Sequence, residues 1–320
     1  MSDSPERWNA ITDVAGVRVG HTTLIVGDDI RTGVTAIVPD GVDRAGGELT
    51  AGLFVGNGYG KLIGSTQLAE LGVIETPIVL TGTLSAFRAA DALVTYVLGL
   101  PGNENLRSVN PVVGETNDGY LSDIRARPVT EQHVLSALAG ARGGPVEQGC
   151  VGAGTGTAAL GFKAGIGTAS RQVRLWDRSS CVLGVLVQAN FSGTLTVRGV
   201  QVDPPGGAEP AQDGNSCMII VATDRALDSR QLTRVAKRAV YAMGKTGADY
   251  APGSGDYAIA FATAAGGPVP EARLGPVFAA TAGATIEAIL NSLRYATTTT
   301  GYQGHVMRAV PPPTLPPPPP

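Results

Sequence analysis

Histidine is scarce in this chain, and the scarcity narrows its chemistry. The 320 residues include only three histidines, His21, His133 and His305. No two of them have the spacing of metal ligands, and no cysteine or carboxylate completes a set around them. A zinc enzyme and a Ser-His-Asp hydrolase therefore both lose support. We expect all three histidines to be structural.

Cysteine and charged residues are also sparse. Three widely separated cysteines, Cys150, Cys181 and Cys217, lack C-x-x-C spacing, which favours a reducing compartment over a disulfide framework. Charged residues make up 16% of the chain, with a net charge of -3 and no basic run. We therefore expect no nucleic-acid partner and no anionic membrane surface. The low charge fraction favours an oligomer.

Long apolar runs are missing as well. Residues 1–14 show no positive region followed by an apolar stretch, as a secretory signal requires. No apolar run approaches the ~20 residues of a membrane span. These absences predict a cytoplasmic enzyme.

What the chain does contain is alternating groups of strand-like and helix-like segments. Ser85 is the predicted N-cap of one helix, and the capping-box pair Asp228 and Gln231 opens another. Helices covering sheets in one compact α/β unit are therefore expected. The predicted strands are residues 17–24, 34–38, 52–55, 77–81, 182–188, 195–202, 216–222 and 255–263, and the predicted helices are residues 86–98, 128–141, 228–243 and 284–297.

The glycine-rich stretch 152–157 (GAGTGT) approaches a dinucleotide-binding pattern. That mechanism needs a strand, a tight turn and a helix N-terminus in this order, and the preceding residues (PVEQGC) are not strand-like. A packing or substrate-lining segment is the preferred interpretation.

The clearest internal boundary is the loop 204–215, which delivers the chain to Ser216 at the start of an apolar strand. An ordinary loop-to-strand junction is one interpretation. The other is an N-terminal nucleophile, freed when the Ser216 hydroxyl attacks the preceding carbonyl. The freed α-amine, with a reference pKa of ~7.7–8.0, would then replace the missing histidine as base.

A second polar cluster, Ser254-Gly255-Asp256, lies where another loop enters a strand. Residues i and i+2 of a strand share a face, so the carboxylate can orient the hydroxyl. A glycine-rich turn with a polar cap is the simpler alternative.

Nine motifs together resemble the DmpA-like peptidases, the L-aminopeptidase/D-esterases and β-peptidyl aminopeptidases, over nearly the whole chain. They are ITDVAGVRVGHTT, TGVTAIVPDG, ETPIVLTGTLS, NPVVGETNDGYLSDIR, GAGTGTAALGFKAGIGTASR, LGVLVQANF, DGNS, IIVATD and SGDYAIAFATA.

The resemblance implies an αββα sandwich like that of N-terminal-nucleophile hydrolases, with different connectivity. It implies one catalytic domain over residues 1–310, cut between Asn215 and Ser216 into subunits 1–215 and 216–320. Residues 311–320, almost all proline, are expected to be a disordered, solvated tail.

The resemblance also implies the catalytic residues. Ser216 is the nucleophile, and the family's Ser-x-Glu pair falls on Ser254 and Asp256, with Asp in place of Glu. Asn190 supplies the oxyanion hole. No metal or organic cofactor is implied.

Two further residues are implied to bind substrate. Glu115 holds the free ammonium of a short peptide, amino-acid amide or ester, and Tyr120 contacts the scissile carbonyl or the nucleophile. The expected assembly is a tetramer of cleaved heterodimers. Alternatives are an acyltransferase on the same fold, which resembles ornithine acetyltransferases but would use threonine, and a non-catalytic ligand-binding relative. A nucleotide-dependent oxidoreductase is a distant third.

Overall fold

The computed structural model describes residues 7–175, 178–204, 215–267 and 269–316. The interior of the predicted loop 204–215 and the last four prolines of the tail lie outside these ranges.

Two sheets form the centre of the molecule. One has four strands in the order β1-β2-β5-β6, and the other has six in the order β4-β3-β14-β13-β10-β9. Among the described residues, three two-stranded ribbons, β7–β8, β11–β12 and β15–β16, complete the strands. The strands are β1 (Val17–Val26), β2 (Ile30–Pro39), β3 (Leu49–Gly58), β4 (Val73–Ile74), β5 (Ile78–Gly82), β6 (Val112–Thr116), β7 (Ala158–Ala159), β8 (Phe162–Lys163), β9 (Ile166–Arg174), β10 (Ser180–Asn190), β11 (Thr196–Val197), β12 (Val200–Gln201), β13 (Ser216–Thr223), β14 (Gly255–Ala262), β15 (Thr299–Thr300) and β16 (Val306–Met307).

Helices cover the outer face of each sheet. The helices are α1 (Ser65–Leu71), α2 (Ala86–Leu98), α3 (Glu131–Ala139), α4 (Ser229–Met243) and α5 (Gly275–Arg294). Helices α2 and α3 pack on the four-stranded sheet, and α4 and α5 pack on the six-stranded sheet. Within the described ranges, no helix has both the length and the apolar character needed to cross a bilayer.

Three apolar clusters hold these layers together. One lies between the sheets, and alternate residues of β13 (Met218, Ile220) and β14 (Tyr257, Ile259) enter it. The intervening residues of both strands join the cluster beneath α4 and α5. A third cluster joins α2 and α3 to the four-stranded sheet. Strands buried on both faces explain the continuous apolar runs of the sequence, and the layering is the expected αββα sandwich.

Several local predictions need correction. Residues 195–202 are not one strand beside β10 but the small ribbon β11–β12, turned at Arg198 and Gly199, which both have positive φ. Helix α5 begins at Gly275, nine residues before the predicted start at 284. The Ser85 side chain makes no capping hydrogen bond.

Other local features follow the sequence. The Asp228–Gln231 capping box is formed, and Asp228 Oδ1 accepts the Gln231 backbone N–H at 2.7 Å.

Part of the proline-rich tail contacts the body of the protein, which the prediction of a solvated end did not anticipate. There Leu315 packs against the cluster beneath α4 and α5, and the Pro316 carbonyl accepts a hydrogen bond from Arg294.

Candidate active site

Ser216 is the first residue of β13, and two strands flank it. Its antiparallel partner on β10 is Asn190, the last residue of that strand. Its parallel partner on β14 is Gly255, the first residue of that strand. Both neighbouring strands therefore present a terminus beside the Ser216 side chain, which is buried.

The Ser216 hydroxyl is directed back at the preceding peptide group. Its Oγ donates to the carbonyl oxygen of Asn215 at 2.6 Å. The backbone N–H of Gly255 lies 3.0 Å from the same carbonyl oxygen and 3.2 Å from Ser216 Oγ. The Asn215 carbonyl thus has two donors, and one of them is the neighbouring hydroxyl.

Ser254 and Asp256 form the pair that their spacing predicts. Ser254 Oγ donates to Asp256 Oδ1 at 2.9 Å, so the aspartate spans the gap in spite of its short side chain. Burial raises the pKa of Asp256 to about 6. The hydrogen bond from Ser254 opposes this shift, and the charge of Asp249 adds to it. The carboxyl group therefore titrates close to neutral pH.

A β-bulge in β3 faces this pair. Asp256 lies opposite Asn57 and Tyr257 opposite Val55, which leaves Gly56 without a partner. Bulges re-aim side chains and are frequent beside active sites. The amide of Asn57 donates to the Ala251 carbonyl at 2.6 Å. The bulged strand therefore also holds the loop that leads to Ser254.

The Asn190 amide is held at both ends. Its Oδ1 accepts the Ala158 backbone N–H at 3.0 Å, and its Nδ2 donates to the Asn117 carbonyl at 2.9 Å. These partners fix which end of the amide carries the donors. The Nδ2 group carries two hydrogens, and the bond to Asn117 uses one of them. The glycine-rich segment, which ends at this point, thus contributes to positioning Asn190.

Glu115 is buried at the end of the four-stranded sheet. Its Oε1 accepts the Lys61 backbone N–H at 2.7 Å, and its Oε2 accepts the Thr83 hydroxyl. Gly60 lies between this carboxylate and Gly255, the strand neighbour of Ser216. A Cβ built on Gly60 would lie 3.1 Å from Glu115 Oε1 and 3.1 Å from the Cα of Gly255, whose N–H contacts Ser216 Oγ. Glu115 therefore borders the same site as Ser216.

Tyr120 lies against a histidine. Its ring stacks on the His305 ring at a centroid distance of 4.4 Å, and His305 Nδ1 donates to the Tyr120 carbonyl at 2.9 Å.

The other two histidines, His21 and His133, have local partners. His21 Nδ1 lies 2.9 Å from the Thr35 hydroxyl, and burial lowers its pKa to about 4. His133 closes the N-terminal turn of α3.

Two buried ionisable groups behind the site were not predicted from the sequence. Asp118 accepts the Thr32 hydroxyl, and burial raises its pKa to about 7. Lys163 donates to the carbonyls of Gly154 and Ala164, and burial lowers its pKa. Both residues lie within motifs that carry the family resemblance, Asp118 in NPVVGETNDGYLSDIR and Lys163 in GAGTGTAALGFKAGIGTASR. Their place in these motifs is the sequence signal that could have identified them.

Comparisons with known proteins identify the family of the chain. The sequence profile of Peptidase family S58 matches residues 9–307. The chain belongs to Peptidase family S58. It is therefore a peptidase, a hydrolase of the N-terminal-nucleophile aminopeptidase class.

Two relatives with curated names are "Beta-peptidyl aminopeptidase BapA" proteins. The one from Sphingosinicella xenopeptidilytica is 38% identical, covering 96% of this chain and 86% of that protein. The one from Sphingosinicella microcystinivorans is 37% identical, covering 97% and 87%.

Solved structures agree over the whole fold. The PH0078 protein from Pyrococcus horikoshii superposes with a TM-score of 0.88 at 43% identity, covering 96% of this chain and 93% of that one. The L-aminopeptidase D-Ala-esterase/amidase from Ochrobactrum anthropi superposes with a TM-score of 0.87 at 33% identity, covering 97% and 93%. It is described as a variant of the Ntn hydrolase fold and a prototype of the serine aminopeptidases.

Proposed function

We propose that the chain cuts its own Asn215–Ser216 bond and then uses Ser216 to release N-terminal residues from short peptides, amides or esters. The observation that carries the proposal is the contact of the Ser216 hydroxyl with the Asn215 carbonyl oxygen at 2.6 Å. The N–H of Gly255 at 3.0 Å from the same oxygen supports it, because such a donor stabilises negative charge on that oxygen.

Self-cleavage runs through an ester. Ser216 Oγ bonds to the Asn215 carbonyl carbon, and the C–N bond then breaks as the nitrogen takes up a proton. Water hydrolyses the resulting ester, which restores the hydroxyl and leaves Asn215 with a carboxylate. Ser216 then carries a free α-amine next to its hydroxyl.

The same hydroxyl serves the substrate reaction. Ser216 Oγ attacks the first carbonyl of the substrate, and its α-amine or Ser254 takes the proton while Asp256 orients Ser254. The Asn190 amide stabilises the oxyanion. The leaving amine or alcohol departs with a proton, and water hydrolyses the acyl-enzyme.

The substrate class follows from Glu115. A buried carboxylate that a substrate leaves unpaired is costly, so a free ammonium next to the scissile bond is favoured. An internal peptide bond offers no such charge. The names of the relatives support the proposal, since both groups are aminopeptidases. Tyr120 is proposed to contact the scissile carbonyl or Ser216. A cytoplasmic location and a tetramer of cleaved heterodimers also stay predictions.

The test is the hydrolysis of two matched substrates, an amino-acid p-nitroanilide and its N-acetyl derivative. The account predicts turnover of the free-amine substrate and a kcat/KM at least about 100-fold lower for the acetylated one. Equal turnover of both would contradict it, and so would failure to hydrolyse any free-amine amide or ester in a panel of α- and β-amino acids.

A further inference from the structure

Tyr257 lies between the two carboxylates of the site. It faces the space between the sheets, whereas its neighbour Asp256 carries the Ser254 contact. Burial raises the pKa of Tyr257, and the charges of Glu115 and Asp256 act in the same direction. Its hydroxyl therefore stays protonated and serves as a donor at neutral pH.

One peptide group connects Tyr257 to Glu115. The Tyr257 hydroxyl donates to the Gly60 carbonyl oxygen at 2.8 Å. The N–H of that same peptide group, carried by Lys61, donates to Glu115 Oε1 at 2.7 Å. A peptide group is planar and rigid, so fixing its carbonyl end also fixes the direction of its N–H. A hydrogen bond to the carbonyl further polarises the N–H.

The surrounding contacts leave this peptide little freedom. Two residues before Lys61, the N–H of Tyr59 donates to the Ser254 carbonyl at 3.2 Å. A Cβ on Gly60 would lie 2.8 Å from the Tyr257 ring, and a Cβ on Gly255 would lie 2.5 Å from the Cα of Gly60. The turn is thus packed against both the Ser254 segment and Glu115.

We infer that Tyr257 is a positioning residue for the ammonium-binding carboxylate, acting through the Gly60–Lys61 peptide group. The inference rests on the proposed function, because it assigns the task of Tyr257 to the binding of the substrate amine. The hydroxyl holds the peptide so that its N–H keeps the Glu115 carboxylate correctly placed. It takes no part in bond breaking.

The test compares Tyr257→Phe with wild type on a free-amine p-nitroanilide. One lost hydrogen bond predicts a KM raised about threefold to tenfold. The kcat and the self-cleavage are expected to stay within about twofold, and KM for the N-acetyl substrate is expected not to change. Tyr241→Phe, which removes the hydroxyl of an exposed tyrosine on α4, is the matched control and keeps wild-type KM.

A double-mutant cycle with Glu115→Gln decides whether Tyr257 acts through the carboxylate. The account predicts that Tyr257→Phe adds less than about twofold to KM once Glu115 is replaced. Full additivity, or an equal loss on the acetylated substrate, would overturn it. A wild-type KM in Tyr257→Phe, with a raised KM in Glu115→Gln, would overturn this inference alone. A wild-type enzyme that does not prefer free amines would instead overturn the proposed function.

Gly60→Ala provides a second, independent perturbation. The new Cβ would approach the Tyr257 ring, Glu115 Oε1 and the Cα of Gly255, so the same KM increase is expected, and KM is measured on the self-cleaved fraction of the variant. An unchanged KM in a self-cleaved Gly60→Ala protein would contradict the role given to this peptide group.

Discussion

The Ser216 hydroxyl donates to the carbonyl oxygen of the residue before it, Asn215, over 2.6 Å. The same carbonyl accepts the N–H of Gly255 from the neighbouring strand. The proposed nucleophile and a donor for the proposed oxyanion therefore meet at one peptide bond. The position of this bond follows from strand register, because β13 and β14 begin side by side at Ser216 and Gly255.

The raised pKa of Asp256 gives a pH dependence. Its carboxylate must be ionised to accept the hydrogen bond that orients Ser254. Its pKa of about 6 means that activity is lost as the pH falls through that value. Where the α-amine of Ser216 takes the proton, it must be neutral as well, and the reference pKa of an α-amine is ~7.7–8.0. We expect log(kcat/KM) to fall with a slope of one per pH unit below about pH 8, where one group is protonated. Below about pH 6, where both groups are protonated, the expected slope is two.

Asp256→Asn should remove the second of these steps. The remaining profile is expected to keep a slope of one down to pH 5, at a rate reduced about 100-fold or more. Asp91→Asn, an exposed aspartate on α2, is the matched control and should keep both steps. An unchanged double slope in Asp256→Asn would assign the lower ionisation to another group.

The contact between Ser254 and Asp256 is a part of the candidate site that could be predicted from the sequence. The period of two in a strand predicts a shared face, and the observed 2.9 Å contact agrees with it. The roles of the backbone N–H groups of Gly255 and Lys61 could not be predicted from the sequence. Every residue except proline carries a backbone N–H, and only the fold determines which of these groups reach the site. The turn at Arg198 was missed because a positive φ at a non-glycine residue has weak sequence signals.

Asn190→Ala tests the oxyanion hole. The account predicts a kcat reduced about 10²–10³-fold with a nearly unchanged KM. Asn190→Asp keeps the acceptor for the Ala158 N–H but replaces the donor with an oxygen, so its kcat should fall at least as far. A kcat in Asn190→Asp equal to that of wild type would rule out a donor role.

Glu115→Gln tests recognition of the amine. Loss of the charged partner predicts a KM raised about 10–150-fold on free-amine substrates, measured by steady-state hydrolysis. The N-acetyl substrate should be almost unaffected. Glu70→Gln, at an exposed position on α1, should match wild type. Equal losses on both substrates would show that Glu115 does something other than bind the ammonium.

The close approach of the glycine-rich segment to β2 predicts a stability effect. A Cβ on Gly33 would lie 2.4 Å from the carbonyl oxygens of both Gly152 and Thr22. Gly33→Ala should therefore lower the free energy of unfolding by about 1–3 kcal/mol, measured by thermal or urea unfolding. A Cβ on Gly143 meets nothing within 4 Å, so Gly143→Ala should be neutral or slightly stabilising. Equal stability of the two variants would contradict this packing.

The central claim is self-cleavage at Ser216, and intact-mass analysis of the purified protein tests it most directly. The account predicts two polypeptides meeting at Asn215–Ser216 in the wild type. Ser216→Ala should give one inactive chain of 32.6 kDa, whereas Ser136→Ala, a matched serine on α3, should be cut like the wild type. A single uncut wild-type chain, or cleavage of Ser216→Ala at the same bond, would contradict the account.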